Sequence, residues 1–305
     1  MFLTSKLRAW LLLDERPGHQ SQVLGVGRAL GSQNELIPLE FNQIAMLPNA
    51  LLGSHLWGVS AGTKQALVPP YPDVVIAAGR RCVPLMRHLK KAWPDLFTVQ
   101  LMWPGAAHPE LDLIAVPEHD GISQNEQVIT TIGAAHNVTD ADLAKAKDHW
   151  QARFGNFENP VGVLIGGNSK HGELFLEDAP ALAAKINRYG SALITTSRRT
   201  PAGFVDALLA EVKVPIFLHM VGDGENPFYG ILACADALIV TGDSASMLCE
   251  AYYTQKPVEI FAPTHLCAHK HRRLHEALVK HGSETRLDEA ARIATIIHEK
   301  LAKKA

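Results

Sequence analysis

The residue types best suited to binding an anion lie where an apolar run meets a helical segment near position 242. The turn holds one glycine and three polar residues: Gly242, Asp243, Ser244 and Ser246. Glycine lets a ligand approach the backbone, and a serine or aspartate can cap the first helical turn. The remaining N–H groups and the positive end of the helix dipole favour phosphate. Glu250 lies about one to two turns further along, within reach of a ribose diol. The alternative is an ordinary strand–turn–helix connection with a capping serine.

Two further loops in the second half of the chain carry similar chemistry. The apolar run 161–165 is followed by glycines, polar residues and a cation: Gly166, Gly167, Asn168, Ser169 and Lys170. The run 191–195 is followed by Ser197, Arg198 and Arg199. Parallel strands bring their carboxyl ends to one edge of a sheet, so these three loops predict a diphosphate site there. None has the Gly-Lys-Ser/Thr ending of a P-loop, and Gly25 and Gly27 lie inside a helical segment, outside any dinucleotide fingerprint.

The first half offers candidates for proton transfer. His19 follows an apolar run, and histidine titrates near neutral pH, so His19 is the first candidate for a general base; an incidental loop histidine is the alternative. Glu118 and Asp120 follow another run and are its rivals. These two carboxylates and the intervening His119 are adjacent, so they do not converge on one metal ion if the backbone is extended.

An acceptor site is also expected in the first half, at the edge where strands end. The residues predicted to face a cleft and contact the acceptor are Gly18, Gln20, Arg80 and Arg81 in the first half and Asn226 in the second. Arg80 and Arg81 follow a strand that ends at Gly79, at the edge where open α/β sheets bind ligands. Two solvated arginines are the alternative interpretation of this pair.

Short apolar runs alternate with helical segments along the whole chain, which predicts an α/β fold. The pattern restarts after the polar stretch 154–160, and each half begins with a run followed by a glycine-containing loop. We therefore predict two Rossmann-like doubly wound domains that face a cleft, residues 1–155 and 156–305. We leave open that the C-terminal helix packs against the first domain.

The composition of the 305 residues restricts the classes of partner. A net charge of −2 gives no bulk attraction to nucleic acid. No run approaches the ~20 apolar residues of a membrane span, so we expect a cytoplasmic protein, with peripheral membrane association left open. The four cysteines have no paired spacing, which favours free thiols in a reducing compartment.

The chain resembles the GT-B class of nucleotide-sugar glycosyltransferases, especially the family that adds N-acetylglucosamine to lipid I. The similar segments are residues 72–79, 166–169, 241–251 and 256–258. The resemblance implies that Glu250 holds the ribose of a nucleotide sugar and that the leaving diphosphate is stabilised without a metal. Segment 265–275 departs from that family, because it is cationic where the family has glutamines; this implies a different sugar or acceptor. Within it, His271 and His275 have the i, i+4 spacing of a zinc pair, although a basic solvated helix explains the same residues.

A closer resemblance is to the domain family that includes the plant mitochondrial-fission factor called elongated mitochondria. It is carried by residues 17–19, 78–81, 116–120, 164–170, 195–201 and 240–244. This resemblance implies the GT-B-like fold more firmly than a reaction, because the plant members are regarded as recruiters of a dynamin-related protein.

Together these features predict a nucleotide-sugar-dependent glycosyltransferase. Its donor would be a nucleoside-diphosphate sugar bound in the second domain, its acceptor would bind in the first, and it would need no separate cofactor. Two alternatives are a non-catalytic scaffold with the same fold and a non-hydrolysing UDP-sugar epimerase. The sequence indicates neither the acceptor nor the oligomeric state.

Overall fold

The computed structural model describes residues 6–106, 108–170 and 172–304. The chain forms two compact units. Unit 1 contains the residues up to Asn137 and those from Asp288 onward, and unit 2 contains Val138–Leu287. The sequence placed the boundary later, after residue 155. The difference arises because the helix Asp140–Phe154 packs within unit 2, where Phe154 contacts Phe217 with ring centroids 4.9 Å apart.

Strands and helices alternate along the described chain as the sequence pattern predicts. The strands are β1 (Arg8–Leu13), β2 (Gln33–Pro38), β3 (Val74–Ala78), β4 (Phe97–Leu101), β5 (Leu113–Pro117), β6 (Val128–Thr131), β7 (Pro160–Ile165), β8 (Ser191–Thr196), β9 (Ile216–His219), β10 (Ala237–Thr241) and β11 (Val258–Phe261). The helices are α1 (Pro17–Leu30), α2 (Asn49–Leu52), α3 (Ala61–Ala66), α4 (Val83–Ala92), α5 (Asp140–Phe154), α6 (Ala179–Ile186), α7 (Phe204–Glu211), α8 (Phe228–Cys234), α9 (Ala245–Tyr253), α10 (His269–His281) and α11 (Glu289–Lys304).

Each unit contains one parallel sheet. The order in unit 1 is β2-β1-β3-β4-β5-β6, and the order in unit 2 is β11-β10-β7-β8-β9. In β1, Ala9 and Leu11 belong to a core that includes residues of α1 and α11, whereas Trp10 and Leu12 belong to the core on the opposite face. A strand buried on both faces reads as a continuous apolar run, which is why the sequence identified these strands.

Gly25 and Gly27 allow α1 to pack closely in unit 1. A Cβ on Gly27 would lie less than 3.0 Å from the side chain of Leu11. A Cβ on Gly25 would lie less than 3.0 Å from the carbonyl of His136. These glycines therefore serve helix packing, as expected for a pair outside any nucleotide fingerprint.

The strand orders identify where a ligand is expected. In open α/β sheets, ligands bind at the carboxyl edge where the strand order reverses. This point lies between β1 and β3 in unit 1 and between β7 and β10 in unit 2. The segments that follow these four strands are residues 14–19, 79–81, 166–170 and 242–246, which contain most of the predicted site residues.

Residues 42–68, which the sequence pattern left unassigned, form short turns. A 3-10 turn at Gln43–Met46 is followed by α2 and α3. None of the helices in the described ranges combines the length and the hydropathy required to cross a bilayer.

Candidate functional site

The loops after β7, β8 and β10 meet at one carboxylate, that of Asp243. Its Oδ2 accepts the N–H of Gly167 at 3.0 Å and pairs with Nη2 of Arg199 at 2.7 Å. The Asp243 side chain is 1% exposed, so Arg199 compensates a buried negative charge. Gly166 provides the necessary space, because a Cβ there would lie less than 3.0 Å from both carboxylate oxygens.

The N–H groups of the loop after β7 are used inside the protein, contrary to the prediction that they contact phosphate. The N–H of Gly166 donates to Oγ1 of Thr241 at 2.7 Å, and that of Gly167 donates to Asp243. The next two N–H groups, those of Asn168 and Ser169, each donate at 2.9 Å to the carbonyls of Arg199 and Gly172 respectively. These four N–H groups therefore join neighbouring loops and are not available to a ligand, and a phosphate contact by the side chains of Asn168 and Ser169 stays a prediction.

Ser197 also connects two loops. Its Oγ donates to the carbonyl of Gly166 at 2.8 Å, and Oγ1 of Thr200 donates to the same carbonyl at 2.6 Å. The N–H of Arg199 donates to Oγ of Ser197 at 3.1 Å. A direct phosphate contact by the Ser197 hydroxyl would have to replace these bonds.

The N-terminus of α9 retains donors that no described residue uses. Ser244 is its capping residue, and its Oγ accepts the N–H of Met247 at 3.5 Å. The preceding N–H groups have no acceptor among the described residues; they belong to Asp243, Ser244, Ala245 and Ser246. Together with the helix dipole, such groups favour an anion.

Two cations at the same sheet edge are exposed. Lys170 follows β7 and Arg198 follows β8, and neither forms an ion pair or side-chain hydrogen bond with a described residue. Arg199 is different, because it pairs with Asp243 and its Nη1 donates to the carbonyls of Gly167 and Asn168 at 3.3 and 3.4 Å. Of the three predicted cations, Lys170 and Arg198 are therefore available to a ligand, whereas Arg199 fixes the loops.

His275 of α10 supports the turn at Gly242. Its Nε2 donates to the carbonyl of Gly242 at 2.8 Å, and a Cβ on that glycine would lie less than 3.0 Å from the imidazole. Burial lowers the pKa of His275, which favours a neutral ring with its proton on Nε2. That nitrogen therefore does not bind zinc in a pair with His271, and the described residues contain no cluster of three or more metal-binding side chains.

Glu250 is the sixth residue of α9, in the second helical turn, and is 8% exposed. It comes six residues after Ser244, which is roughly 9 Å along the helix axis. Its contact with a ribose stays a prediction, and only a small part of its surface is open to a ligand.

A second polar cluster lies at the reversal point of the unit 1 sheet. His19 is in the first turn of α1, and its Nδ1 donates to Oδ2 of Asp14 at 2.8 Å. Arg81 approaches the same oxygen at 3.5 Å and also pairs with Glu15. Gly79 has a φ of 83°, and a Cβ there would lie less than 3.0 Å from the imidazole of His19. This glycine therefore leaves the space in which the histidine ring lies.

Asp14 orients His19. The carboxylate side chain is 2% exposed and also accepts the N–H of Arg16 at 3.0 Å. Burial acts to raise the pKa of Asp14. The hydrogen bond from His19, the positive charge of that ring when it is protonated, the Arg16 N–H and the charge of Arg81 outweigh burial and hold the pKa below its ordinary value. An ionised Asp14 keeps the His19 proton on Nδ1 and leaves Nε2 as a proton acceptor.

Asp14→Asn is expected to destabilise the protein by about 1–3 kcal/mol near neutral pH, because a charged hydrogen-bond acceptor is lost from a buried cluster. Because the pKa of Asp14 is lower in the folded chain, its contribution is complete above the unfolded pKa and disappears as pH falls through the folded pKa. Urea unfolding at about pH 7 and about pH 3 should therefore show the gap between wild type and variant shrinking in acid. Asp95→Asn, at an exposed position, is the control; a gap that persists in acid would contradict the ionised state of Asp14.

The other predicted acceptor residues of unit 1 have structural contacts. Gln20 donates through Nε2 to the carbonyl of Asp14 at 2.6 Å, and Gly18 accepts Nε2 of Gln22 at 3.2 Å. Arg80 donates to the carbonyls of residues 45–47, with its shortest distance, 2.7 Å, to Leu47. Its guanidinium holds a neighbouring loop, so these contacts support a structural role.

Glu118 and Asp120 follow β5, which is not at the reversal point of the unit 1 sheet, and Asn226 precedes α8 in unit 2. Glu118 is exposed and Asp120 half-buried in a single 3-10 turn after β5. Asn226 caps α8, because its Oδ1 accepts the N–H of Phe228 at 3.0 Å. It lines a pocket of about 450 Å³ together with residues of α5 and α8, and that pocket includes none of the predicted anion-binding loops.

Four residues that complete the two sites were not predicted to do so from the sequence, in which His275 was considered only as half of a zinc pair. They are Asp14, Thr200, Thr241 and His275. Asp14 carried a usable signal, since it follows an apolar run directly and lies five residues before the candidate base. The other three act across separate loops, and only the strand order shows that those loops are neighbours.

Comparison with known proteins identifies relatives of the whole chain. A family model described as mitochondrial fission ELM1 matches residues 17–304. An uncharacterized protein of Rickettsia prowazekii (strain Madrid E) is 27% identical, covering 90% of this chain and 88% of its own length. The mitochondrial fission protein ELM1 of Arabidopsis thaliana is 28% identical over 71% of this chain. The match spans only 57% of the plant protein's length.

Solved structures with the same fold include nucleotide-sugar enzymes. The UDP-GlcNAc 2-epimerase from Neisseria meningitidis, solved with UDP-GlcNAc, gives a TM-score of 0.52 at 13% identity and covers 97% of this chain and 100% of its own. The glycosyltransferase of kitacinnamycin gives 0.54 at 14% identity, with 98% and 93% coverage. Anabaena HepE, in complex with UDP and glucose, gives 0.52 at 11% identity, with 97% and 100% coverage. The predicted fold class, two Rossmann-like domains of the GT-B type, is confirmed.

Proposed function

The chain belongs to the mitochondrial fission ELM1 family, and from its GT-B fold we propose that it is a glycosyltransferase that uses a nucleoside-diphosphate sugar. Unit 2 binds the donor, and unit 1 supplies the base that activates the acceptor. The observation that carries the proposal is the group of N–H donors at the start of α9 that have no acceptor among residues 6–106, 108–170 and 172–304, at the reversal point of the unit 2 sheet. Its neighbours of the same fold include enzymes solved with UDP-GlcNAc or UDP and glucose.

The charges around α9 suit a diphosphate. The helix N-terminus carries roughly +0.5 elementary charge, and Lys170 and Arg198 add two exposed cations at the same edge. Asp243 is the nearest carboxylate in the chain sequence, but its pairing with Arg199 offsets its repulsion of an anion. When the bond between sugar and diphosphate breaks, negative charge grows on the diphosphate, and fixed donors of this kind stabilise it.

His19 is the proton acceptor in this proposal. Its Nδ1 proton is held by Asp14, so Nε2 can take the proton of an acceptor hydroxyl as that oxygen bonds to the anomeric carbon. The electron pair of the breaking bond leaves with the diphosphate. Glu118 and Asp120 follow β5, away from the reversal point of the unit 1 sheet, so His19 is preferred as the base.

Isothermal titration calorimetry with UDP-, GDP-, ADP- and CMP-sugars tests donor binding. We expect one class of nucleotide sugar to bind, and absence of binding by all four at millimolar concentration would overturn the proposal.

Ala245→Pro sharpens this test, because proline removes the N–H of the first helical residue while its φ remains suited to that position. Loss of one donor to a charged group should weaken binding of the preferred donor by roughly 10- to 100-fold. Ala61→Pro, at the equivalent first position of α3, is the matched control. Equal donor affinities of the two variants would mean that the N-terminus of α9 does not bind the donor.

Two alternative functions are each supported by a specific finding. An epimerase is favoured by neighbours such as the Neisseria enzyme, and turnover of a UDP-sugar without an acceptor would identify it. A non-catalytic recruiter is favoured by the similarity to the plant fission protein. Capture of a stoichiometric partner that is unaffected by Glu250→Ala and Ser244→Ala would identify that role.

A further inference from the structure

The loop formed by residues 42–58 exposes an unusual apolar surface on unit 1. Five large apolar side chains within it are 42–70% exposed: Ile44, Met46, Leu47, Leu51 and Trp57. The other exposed positions of this loop are Pro48, Ala50 and the uncharged or weakly basic Asn42, Gln43 and His55. Residues 41–72 contain no carboxylate, and Lys64 is their one lysine or arginine. Exposed apolar side chains concentrated in one loop indicate an interaction site.

The 42–58 loop is a closed and anchored structure. Its ends are joined by a bridge between Phe41 and Val59, and the N–H of Asn42 donates to the carbonyl of Gly58 at 3.0 Å. Its inner side is buried through Ala45, Asn49 and Leu52. The apolar side chains therefore project from a framework whose other face is fixed to unit 1.

Most carbonyls of the loop are already satisfied from within unit 1. Arg80 donates to those of residues 45–47, and Asn42 donates to that of Trp57 at 2.7 Å. Arg87 and His88 of α4 donate to the carbonyls of Gly53 and Ser54 at 3.1 and 3.2 Å. The remaining turns use backbone bonds, such as those from residues 51 and 52 to Pro48. The loop thus presents apolar side chains while its backbone needs few partners from outside.

We propose that the 42–58 loop inserts its exposed side chains into the surface of a lipid bilayer. A hydrocarbon medium supplies no hydrogen-bond partners, so it admits only backbone that is satisfied internally. A protein interface instead uses about one hydrogen bond per 100–200 Å² and a polar rim. The exposed polar side chains of this loop are only Asn42, Gln43 and His55, and none of them is a lysine, an arginine or a carboxylate. Trp57, stacked on His55 at 4.2 Å between ring centroids, suits the membrane–water boundary.

Vesicle flotation of the full chain tests the proposal, which does not depend on the proposed enzymatic function. We expect binding to neutral phosphatidylcholine vesicles, with little change on adding phosphatidylglycerol or salt, because the loop carries no arginine, lysine or carboxylate. The double variant Met46→Asp, Leu51→Asp should reduce the vesicle-bound fraction at least about tenfold, because the two carboxylates oppose insertion. Val279→Asp, at a 67% exposed position of α10, is the matched control and should bind as wild type does.

Trp57→Phe provides a second readout. Quenching of tryptophan fluorescence by brominated lipids should fall in this variant while flotation persists. Circular dichroism checks that the double variant folds; if it does not, Leu51→Asp alone replaces it.

Vesicle binding that the aspartate variants leave unchanged would overturn the proposal. The proposal would also be overturned if the chain binds no vesicles and the double variant loses a self-association that light scattering detects in the wild type. That result would assign the loop to contact with a second copy of the chain.

Discussion

Gly167→Ala is expected to destabilise unit 2 by about 3–4 kcal/mol. Gly167 has a φ of 150°, and a Cβ there would lie less than 3.0 Å from the carbonyl of Arg199. The alanine must displace the β8 loop, which breaks the bonds of Asn168 to Arg199 and of Gly167 to Asp243. Urea unfolding monitored by circular dichroism measures the change.

Gly222→Ala separates backbone strain from crowding in this prediction. Gly222 also has a positive φ, 105°, but a Cβ there has no neighbour within 4 Å. We expect this control to cost only about 1–2 kcal/mol, the penalty for an L-residue at such a φ. Similar losses for both variants would mean that Asp243 and Arg199 contribute little to the rigidity of the unit 2 loops.

His19→Ala is expected to lower the rate of sugar transfer by roughly 10²- to 10⁴-fold, the usual contribution of a general base. Donor affinity should stay unchanged, because His19 belongs to unit 1 and the donor is assigned to unit 2. Single-turnover rates with the donor identified by calorimetry, together with its Kd, check both statements.

Asp14→Asn should lower the same rate through a different cause. The asparagine amide can donate to Nδ1, which moves the ring proton to Nε2 and removes the acceptor that the reaction needs. A larger loss in Glu118→Gln than in His19→Ala would instead assign the base to the turn after β5.

The order of elements could be read from the sequence because most strands are buried, the exceptions being β2, β9 and β11. Runs such as 74–78 and 161–165 are apolar throughout, and glycine or polar residues follow them directly. The sequence also places α9 and its capping serine correctly, since that signal lies within a few consecutive residues. The strand order could not be read from the sequence. The two reversal points, at which most of the predicted residues lie, were therefore not readable either.

The candidate site was harder to predict because its contacts join distant segments. The loop at Gly166 and Gly167 has the composition of a phosphate loop, but Asp243 lies 76 residues from Gly167 and takes its N–H. Arg80 likewise looked like a ligand residue, although its partners are carbonyls 33–35 residues earlier in an irregular loop. The domain boundary was misplaced for a similar reason, since the packing partner of α5 is α8 and lies far along the chain.

The position of α11 has a consequence for synthesis. Ile293 and Ile297 of α11 complete the core formed by α1, and Glu289 accepts the N–H of Ile132 at 2.7 Å. A nascent polypeptide therefore has α1 but not α11 on one apolar side of its first sheet while all of unit 2 is translated. Since domains generally fold as units during translation, unit 2 can finish folding on the ribosome first. The N-terminal part of unit 1 cannot complete its core until α11 is synthesised, and chaperones have most opportunity to bind it during that interval.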